Sequence, residues 1–467
     1  LLHRSRRYLR AAGALALVTG SLFAGGAPVV AAAGVAVSPM LITRFASATQ
    51  APDSAACVQQ FTEPCYQPAQ LQAAYNEQPL FNRGITGRGQ TIVIVDSFGS
   101  PTIRRDLATF DREFGLPAPP SFRIIQPAGR VPRYNPNDGT QLGWAGETTL
   151  DVDWAHTMAP RANILLVETP VAESAGTAGL PEIAAAENYV IDHHLGQVIS
   201  QSFGAAEATF PGAGSISGLR SAFINASQQG VTVLAASGDD GATDFSNDAG
   251  TLLYTHRAVI WPASDPLVTA VGGTQLALDS TGQRTTSDVV WNDGNNYALL
   301  NVLAGSPDPT GIATGGGKST VFGRPSYQNG VSRVVGNHRG IPDISMSAAC
   351  SGLVLTYNSF GGEQAGWYAS CGTSEATPLF AGIVALAAQV AGHSLGLINP
   401  ALYRLYARHA AGLVDITQGT NTVSFTQHNT MYTVKGFNAG RGYDLASGIG
   451  TINAALFVPE LAQAAGG

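Results

Sequence analysis

The chain has 467 residues, of which 45% are hydrophobic and only 12% charged, and it carries a formal net charge of −7. That composition excludes a disordered or collagen-like chain and suits one large domain, or two ordinary ones, built around a large core. It also weighs against nucleic acid as a partner, because no basic stripe is present to neutralise phosphates.

Residues 1–33 begin basic (LLHRSRRYLR), continue apolar (AAGALALVTGSLFAGGAPVV) and offer an A-x-A cleavage site at Ala31-Ala32-Ala33. The pattern predicts an export signal, and so a secreted, extracellular protein, in preference to a membrane anchor, since glycines and Pro28 break the apolar run. Arg6-Arg7 fits a twin-arginine signal poorly. Loss of the segment removes Arg4, Arg6, Arg7 and Arg10 and no acid, so four positive charges go and −7 becomes −11. Lysine occurs only at Lys318 and Lys435, and a low basic count suits acidic surroundings by limiting positive self-repulsion. No later stretch is apolar for long enough to span a bilayer. Residues 34–65 are Ala/Ser/Pro-rich and read as linker-like, leaving 66–467 as one domain.

From there strands and helices alternate. QTIVIVD (90–96) is a β-branched apolar run that predicts a buried strand ending at Asp96. Helical periodicity follows over 102–115, closed by glycine. GETTLDVDWAHTMAP (146–160) has helical spacing, with Leu150, Trp154 and Met158 in one apolar stripe, and it places Glu147 and Asp151 on a shared face. NILLVE (163–168), QVISQSFG (197–204) and VTVLAASG (231–238) read as further strands, separated by helices over 181–194 and 217–230. This order predicts an α/β fold with a mostly parallel central sheet and helices on both faces. Ligands on such sheets bind beyond the carboxyl ends of the strands, where Asp96 and Asp239 fall. Residues 272–335 look richer in turns and hairpins. Within them GGGKST (315–320) lacks the glycine a phosphate-binding loop needs, because that position is Ile312.

CGTSEATP (371–378) then leads straight into LFAGIVALAAQV, a small-residue turn presenting Ser374 at the head of an apolar helix. A serine nucleophile needs a group to take its proton. His156 is the one histidine at a plausible place in the sequence for a subtilisin-like protease, and it lacks the glycine that flanks such a histidine. The Glu147/Asp151 pair offers another acceptor. Taken alone it reads as a solvated acidic face, but like charges held together raise the pKa of one member, as a carboxylate base requires. Asp239 in AASGDDG (235–241) reads either as a turn former or as a group facing the reacting carbonyl. Four cysteines in an exported chain allow three pairings; Cys57–Cys65 with Cys350–Cys371 is favoured, the second tying the Ser374 turn to the preceding strand region.

Across roughly 68–460 the chain resembles the sedolisin family of serine-carboxyl peptidases, in GETTLDVDWAHTMAPRANI, VISQSFGAAE, GVTVLAASGDDGATD, WPASDPLVTAVGGT, GGGKSTVFGRPSYQ, RGIPDISMSA and GTSEATPLFAGIVAL. The resemblance implies a subtilisin-like fold in which glutamate replaces histidine. It makes Ser374 the nucleophile, Glu147 the general base, Asp151 the residue that orients and tunes it, and a protonated Asp239 the donor to the oxyanion. Asp96 falls where relatives extend the carboxyl network behind the base, and Phe203 where some carry tryptophan. An ordinary aspartic acid of pKa about 3.9 is protonated only about one part in a thousand at pH 7, a penalty of about 4 kcal/mol that mostly vanishes near pH 4. An acidic, bell-shaped optimum is therefore expected.

VDITQG (414–419) and NAGRGYDLASGIG (438–450) supply oxygen donors for a hard cation. The resemblance assigns one Ca2+ to Asp415, Ile416, Gly440, Gly442 and Asp444. Expected substrates are proteins or peptides bound extended, cleaved by an endopeptidase that acts as a monomer. Two rivals stand beside this reading: a histidine-dependent subtilisin-like protease and a catalytically silent binding protein on the same fold. The second draws on a departure from the family, whose members carry a long prodomain, whereas about 30 residues separate the export-like segment from the matching region.

Overall fold

The computed structural model describes residues 45, 50–173, 177–247, 250–296, 312–362 and 365–466. The expected export segment, 1–33, lies outside them. An eight-stranded sheet runs in the order Val289–Val290, Thr269–Gln275, Thr232–Ala236, Val198–Gln201, Thr91–Ser97, Asn163–Thr169, Phe122–Ile125, with Ile344–Ser347 joined to Thr269–Gln275. Every pairing is parallel except that of the short edge strand Val289–Val290.

Because successive side chains point to opposite faces, a strand covered on both faces must be apolar throughout. In Thr91–Ser97, Ile92 and Ile94 enter one core together with Leu150 and Trp154 of the Gly139–Met158 helix and Leu379 to Ala388 of the Thr373–Ala391 helix. Val93 and Val95 enter the opposite core with Ile183 and Val190 of Leu180–Asp192 and Phe223 of Ser221–Gln229. Each such side chain contributes about 1.5–3 kcal/mol by leaving water. The α/β architecture expected from the alternation is therefore present.

The Thr373–Ala391 helix is apolar on all sides and buried from Thr373 to Ala388, as a helix without a polar face must be. By length and composition it could cross a membrane, yet here it is the central core helix. Both ends are held. Cys371, two residues before its start, bonds Cys350 with a Cα–Cα distance of 5.0 Å. At the other end Gln389 Oε1 accepts from the Thr86, Gly87 and Arg88 amides at 2.7–3.0 Å, and Nε2 donates to Gly84 O at 2.9 Å.

Three sequence expectations are corrected. The linker-like segment extends too far: Ser54–Phe61 is a helix capped by Asp53, with Cys57 and Phe61 buried and Cys57 bonded to Cys65. Its i, i+4 pair of core residues outweighs the local composition. The helix carrying Glu147 starts at Gly139 rather than 146, because Asp138 accepts from the Thr140 and Gln141 amides and so caps it. Finally, the stretch read as turns, 272–335, begins inside Thr269–Gln275, an interior strand. A Cβ on Gly272 would stand 2.6 Å from Ser345 Oγ and one on Gly273 2.7 Å from Ala348 Cβ and Trp291. Its glycines serve close packing of neighbours, not turning.

Candidate active site

Glu147 and Asp151 lie one turn apart on the Gly139–Met158 helix, 1% and 0% exposed, and Asp96 ends the neighbouring strand, also 0% exposed. The Gly139–Met158 and Thr373–Ala391 helices pack directly on each other, which sets Ser374 beside Glu147. Ser374 Oγ and both Glu147 oxygens are buried without a closed hydrogen bond, while the hydroxyl still weighs on the Glu147 carboxyl in favour of its charged form. The opposing influences are larger. Burial first, then the charges of Asp151 and Asp96, hold Glu147 well above the ordinary glutamate range. Burial and Asp96 do the same to Asp151. Burial pushes Asp96 up to about 7, aided by Glu168, its register partner on the next strand, against a weaker opposing influence of the nearby Thr148 hydroxyl, whose hydrogen goes to Trp144 O. These carboxyls cannot all ionise together, so the group shares protons.

Ser202 closes this network. Its Oγ donates to Asp151 Oδ1 at 2.8 Å and lies 3.3 Å from the Ser374 carbonyl oxygen. That carbonyl is free for a reason written in the sequence: Pro378, four residues on, has no N–H to offer it. The helix thus lacks one internal bond at the serine, and the Ser202 hydroxyl, whose hydrogen goes to Asp151, lies beside that carbonyl.

Asp239 approaches from the loop after Thr232–Ala236. Its Oδ1 accepts from both the amide and the hydroxyl of Thr373, each at 2.7 Å, whereas Oδ2 is enclosed without a partner. Burial raises its pKa to about 6 against those two bonds. Gly372 makes the approach possible: it has φ 123°, and a Cβ there would stand 2.6 Å from Asp239 Oδ2. A neutral acid with an unused oxygen beside a serine can donate a hydrogen bond to charge developing near that serine.

His156, nine residues after Glu147 at ~100° per residue, falls on the opposite side of its helix; its Nε2 sits 2.9 Å from Pro117 O and 3.2 Å from Asp111. His193 and His194 are exposed, and so is Lys318 of GGGKST. The glycines of that segment lie against the Asp239 loop, with Gly315 N donating to Gly238 O. The disulfides are Cys57–Cys65 and Cys350–Cys371. Asp415 reaches the loop that carries Asp444, where Gly442 N–H donates to Asp415 Oδ2 at 2.9 Å and Gly440 N–H to Asp444 Oδ2 at 3.0 Å. Asp444 Oδ1 is occupied by the Ala446 and Ser447 amides and the Ser447 hydroxyl. Among the described residues no three His, Cys, Asp or Glu side chains gather as a metal cluster, so a cation in this loop would depend on two carboxylates plus backbone carbonyls, an oxygen set that fits a hard ion.

Sequence reasoning missed Ser202 and Thr373, the hydroxyls that hold Asp151 and Asp239, and the acids near Asp239, half-buried Asp240 and buried Asp244 and Glu375. Thr373 and Glu375 flank the serine in the motif itself, a signal in plain view. Ser202 had none beyond its place at a strand end.

A family model described as the Subtilase family matches residues 134–430. Kumamolisin of Bacillus sp. (strain MN-32) is 32% identical over 395 residues, covering 83% of this chain and 62% of that protein. Sedolisin of Pseudomonas sp. (strain 101) is 30% identical, covering 79% and 57%, and human tripeptidyl-peptidase 1 is 29% identical, covering 74% and 56%. The chain therefore spans less than two thirds of the length of these curated relatives. The solved structure of Pseudomonas sedolisin, a serine-carboxyl proteinase complexed with two molecules of pseudo-iodotyrostatin, superposes with a TM-score of 0.69 at 28% identity, covering 85% of this chain and 97% of that one.

Proposed function

Because the chain belongs to the subtilase family, in its sedolisin branch, we propose that it is a serine-carboxyl peptidase that cleaves proteins and peptides at acidic pH. One observation carries the reading: Ser374 and Glu147 face each other in a buried carboxyl network, while Asp239 turns an unpartnered oxygen to the same turn.

In this mechanism Ser374 Oγ adds to the scissile carbonyl carbon as its proton passes to Glu147. Asp151 and Asp96 keep Glu147 poised by crowding its charge, and Ser202 fixes Asp151. The carbonyl oxygen, now an oxyanion, accepts from protonated Asp239. Collapse breaks the C–N bond, and Glu147 returns the proton to the leaving amine. Water then attacks the acyl-enzyme with Glu147 again as base, releasing the acid and restoring Ser374. An oxyanion donor of this kind is worth about 3–4 kcal/mol. The acid must stay neutral and the base become available in the same pH window, which favours mildly acidic conditions.

The test is digestion of an unstructured protein over pH 3–8. Cleavage should peak on the acid side and vanish in Ser374→Ala. A peak at pH 8, or cleavage persisting in Ser374→Ala, would reject the mechanism.

Asp415 and Asp444 with the carbonyls of Ile416, Gly440 and Gly442 would hold one Ca2+, which would cross-link the 414–416 segment to the 438–444 loop when bound. Saturation about a hundredfold above Kd adds about 2.7 kcal/mol. Chelation is therefore expected to lower the thermal midpoint by several degrees, restored by Ca2+ and not by Mg2+; an unchanged midpoint would remove the assignment. The export-like segment supports secretion, which a check of the culture medium for processed chain would test.

A further inference from the structure

Three hydrogen bonds, two to Asp239 and one from Gly238, join this loop to the residue before the nucleophile, and together they leave no freedom in where a proton can sit. The Thr373 amide donates to Asp239 Oδ1 at 2.7 Å, and the Thr373 hydroxyl donates to the same oxygen at 2.7 Å. The Gly238 amide donates to Thr373 Oγ1 at 3.2 Å. A hydroxyl has one hydrogen. With Gly238 N–H directed at its lone pairs, that hydrogen is committed to Asp239. Oδ1 then faces two donor hydrogens and cannot carry a third. Oδ2 is enclosed, has no partner and stands over Gly372, where a Cβ would come within 2.6 Å.

We propose that Thr373 is a positioning residue that directs the Asp239 proton to Oδ2 and so aims the acid's O–H at the oxyanion. The inference rests on the serine-carboxyl reading above and adds a residue to it. Asp239 itself gives the donor; Thr373 decides from which oxygen.

The arrangement has a cost that makes it testable. Hydrogen bonds donated to Oδ1 favour the charged carboxylate, and both Thr373 bonds do lower the Asp239 pKa against its burial. The acids facing Asp239 are Asp240 and Asp244 of its own loop, Glu147 of the Gly139–Met158 helix and Glu375 of the Thr373–Ala391 helix, and the Asp239 charge raises each of them. Removing the hydroxyl should therefore keep Asp239 protonated to higher pH while leaving its proton less well aimed. Rate and pH limb move in opposite senses, which simple loosening of the turn would not produce.

The experiment compares Thr373→Val, Thr373→Ser and Ser374→Ala on a fluorogenic peptide from pH 3 to 8, with thermal midpoints recorded. Thr373→Val is expected to lower kcat about 10–100-fold, with KM changed less than about threefold and the alkaline limb moved up by about half a pH unit or more. Thr373→Ser, which keeps the hydroxyl, should recover at least about tenfold of that kcat and return the limb to its place. Should Thr373→Val not fold, Thr373→Ala carries the same expectation. A full kcat, or an alkaline limb that stays put or moves down, in the hydroxyl-free variant overturns the inference. So does a Thr373→Ser enzyme that melts like the parent yet stays as slow as the valine variant. Activity surviving in Ser374→Ala is a different failure, because it removes the peptidase reading itself.

Discussion

Glu147→Gln is expected to reduce kcat on an unstructured protein at pH 4 by ~10²–10⁴-fold, the range over which a positioned general base acts. The glutamine keeps the shape of the side chain but cannot accept the serine proton and pass it to the leaving amine. The folded state should not suffer, since Glu147 is 1% exposed and crowded by Asp151 and Asp96. Replacing a carboxyl that resists ionisation by a neutral amide relieves that crowding, so the thermal midpoint should hold or rise. Asp151→Asn is expected to act differently. It removes the largest of the three charges that raise Glu147, so Glu147 ionises at lower pH and the acid limb of the profile moves down. His156→Gln is the control: its ring faces Asp111 and Pro117 on the far side of the helix, and most of the kcat should remain at temperatures well below melting. The assignment would be lost if His156→Gln abolished turnover while Glu147→Gln stayed within about tenfold of the parent.

The second large effect concerns stability. Buried acids outside the reacting pair share the same fate as those within it. Glu77 is 0% exposed, has no hydrogen-bond partner for either oxygen, and is held well above the ordinary range by burial. Glu187 is pushed up to about 8 by burial against a bond from Gln201, and Asp96 to about 7. A carboxyl whose pKa is raised by folding binds its proton more tightly in the native state than in the unfolded one. Its contribution is fully present below the unfolded value near 4 and is lost as pH climbs through the native value. Between those limits each such acid removes about 1.4 kcal/mol per pH unit. With Asp153, Asp151 and Glu375 shifted the same way, the thermal midpoint is expected to be highest near pH 4 and to fall steadily toward pH 8. Glu77→Gln and Glu187→Gln, both away from the serine, should flatten that slope and raise the midpoint at pH 7. A midpoint that is level or rises from pH 4 to 8 would contradict the burial of these acids.

Much of this was readable in the chain. The β-branched runs at 90–96 and 163–168 could only be strands covered on both sides, and the spacing of Glu147 and Asp151 dictated a common helix face. The limits have physical causes. Thr269–Gln275 escaped because Gly272 and Gly273, which usually signal turns, here make room for Trp291, Ala348 and Ser345. The first turns of the Glu147 helix were hidden by Gly139 and Gly143, whose weak propensity is offset by the Asp138 cap. Spacing located the acids but not the hydroxyls that orient them, since Ser202 and Thr373 reach Asp151 and Asp239 across 51 and 134 residues of chain.

The core helix is anchored at one end through Cys371 and at the other by the four bonds of Gln389. Fraying from either terminus is thereby suppressed, so amide protons from Leu379 to Ala388 should exchange with deuterium only through opening of the whole domain. Denaturant should then extinguish turnover and tertiary signal in a single transition, with no inactive, otherwise native species accumulating first.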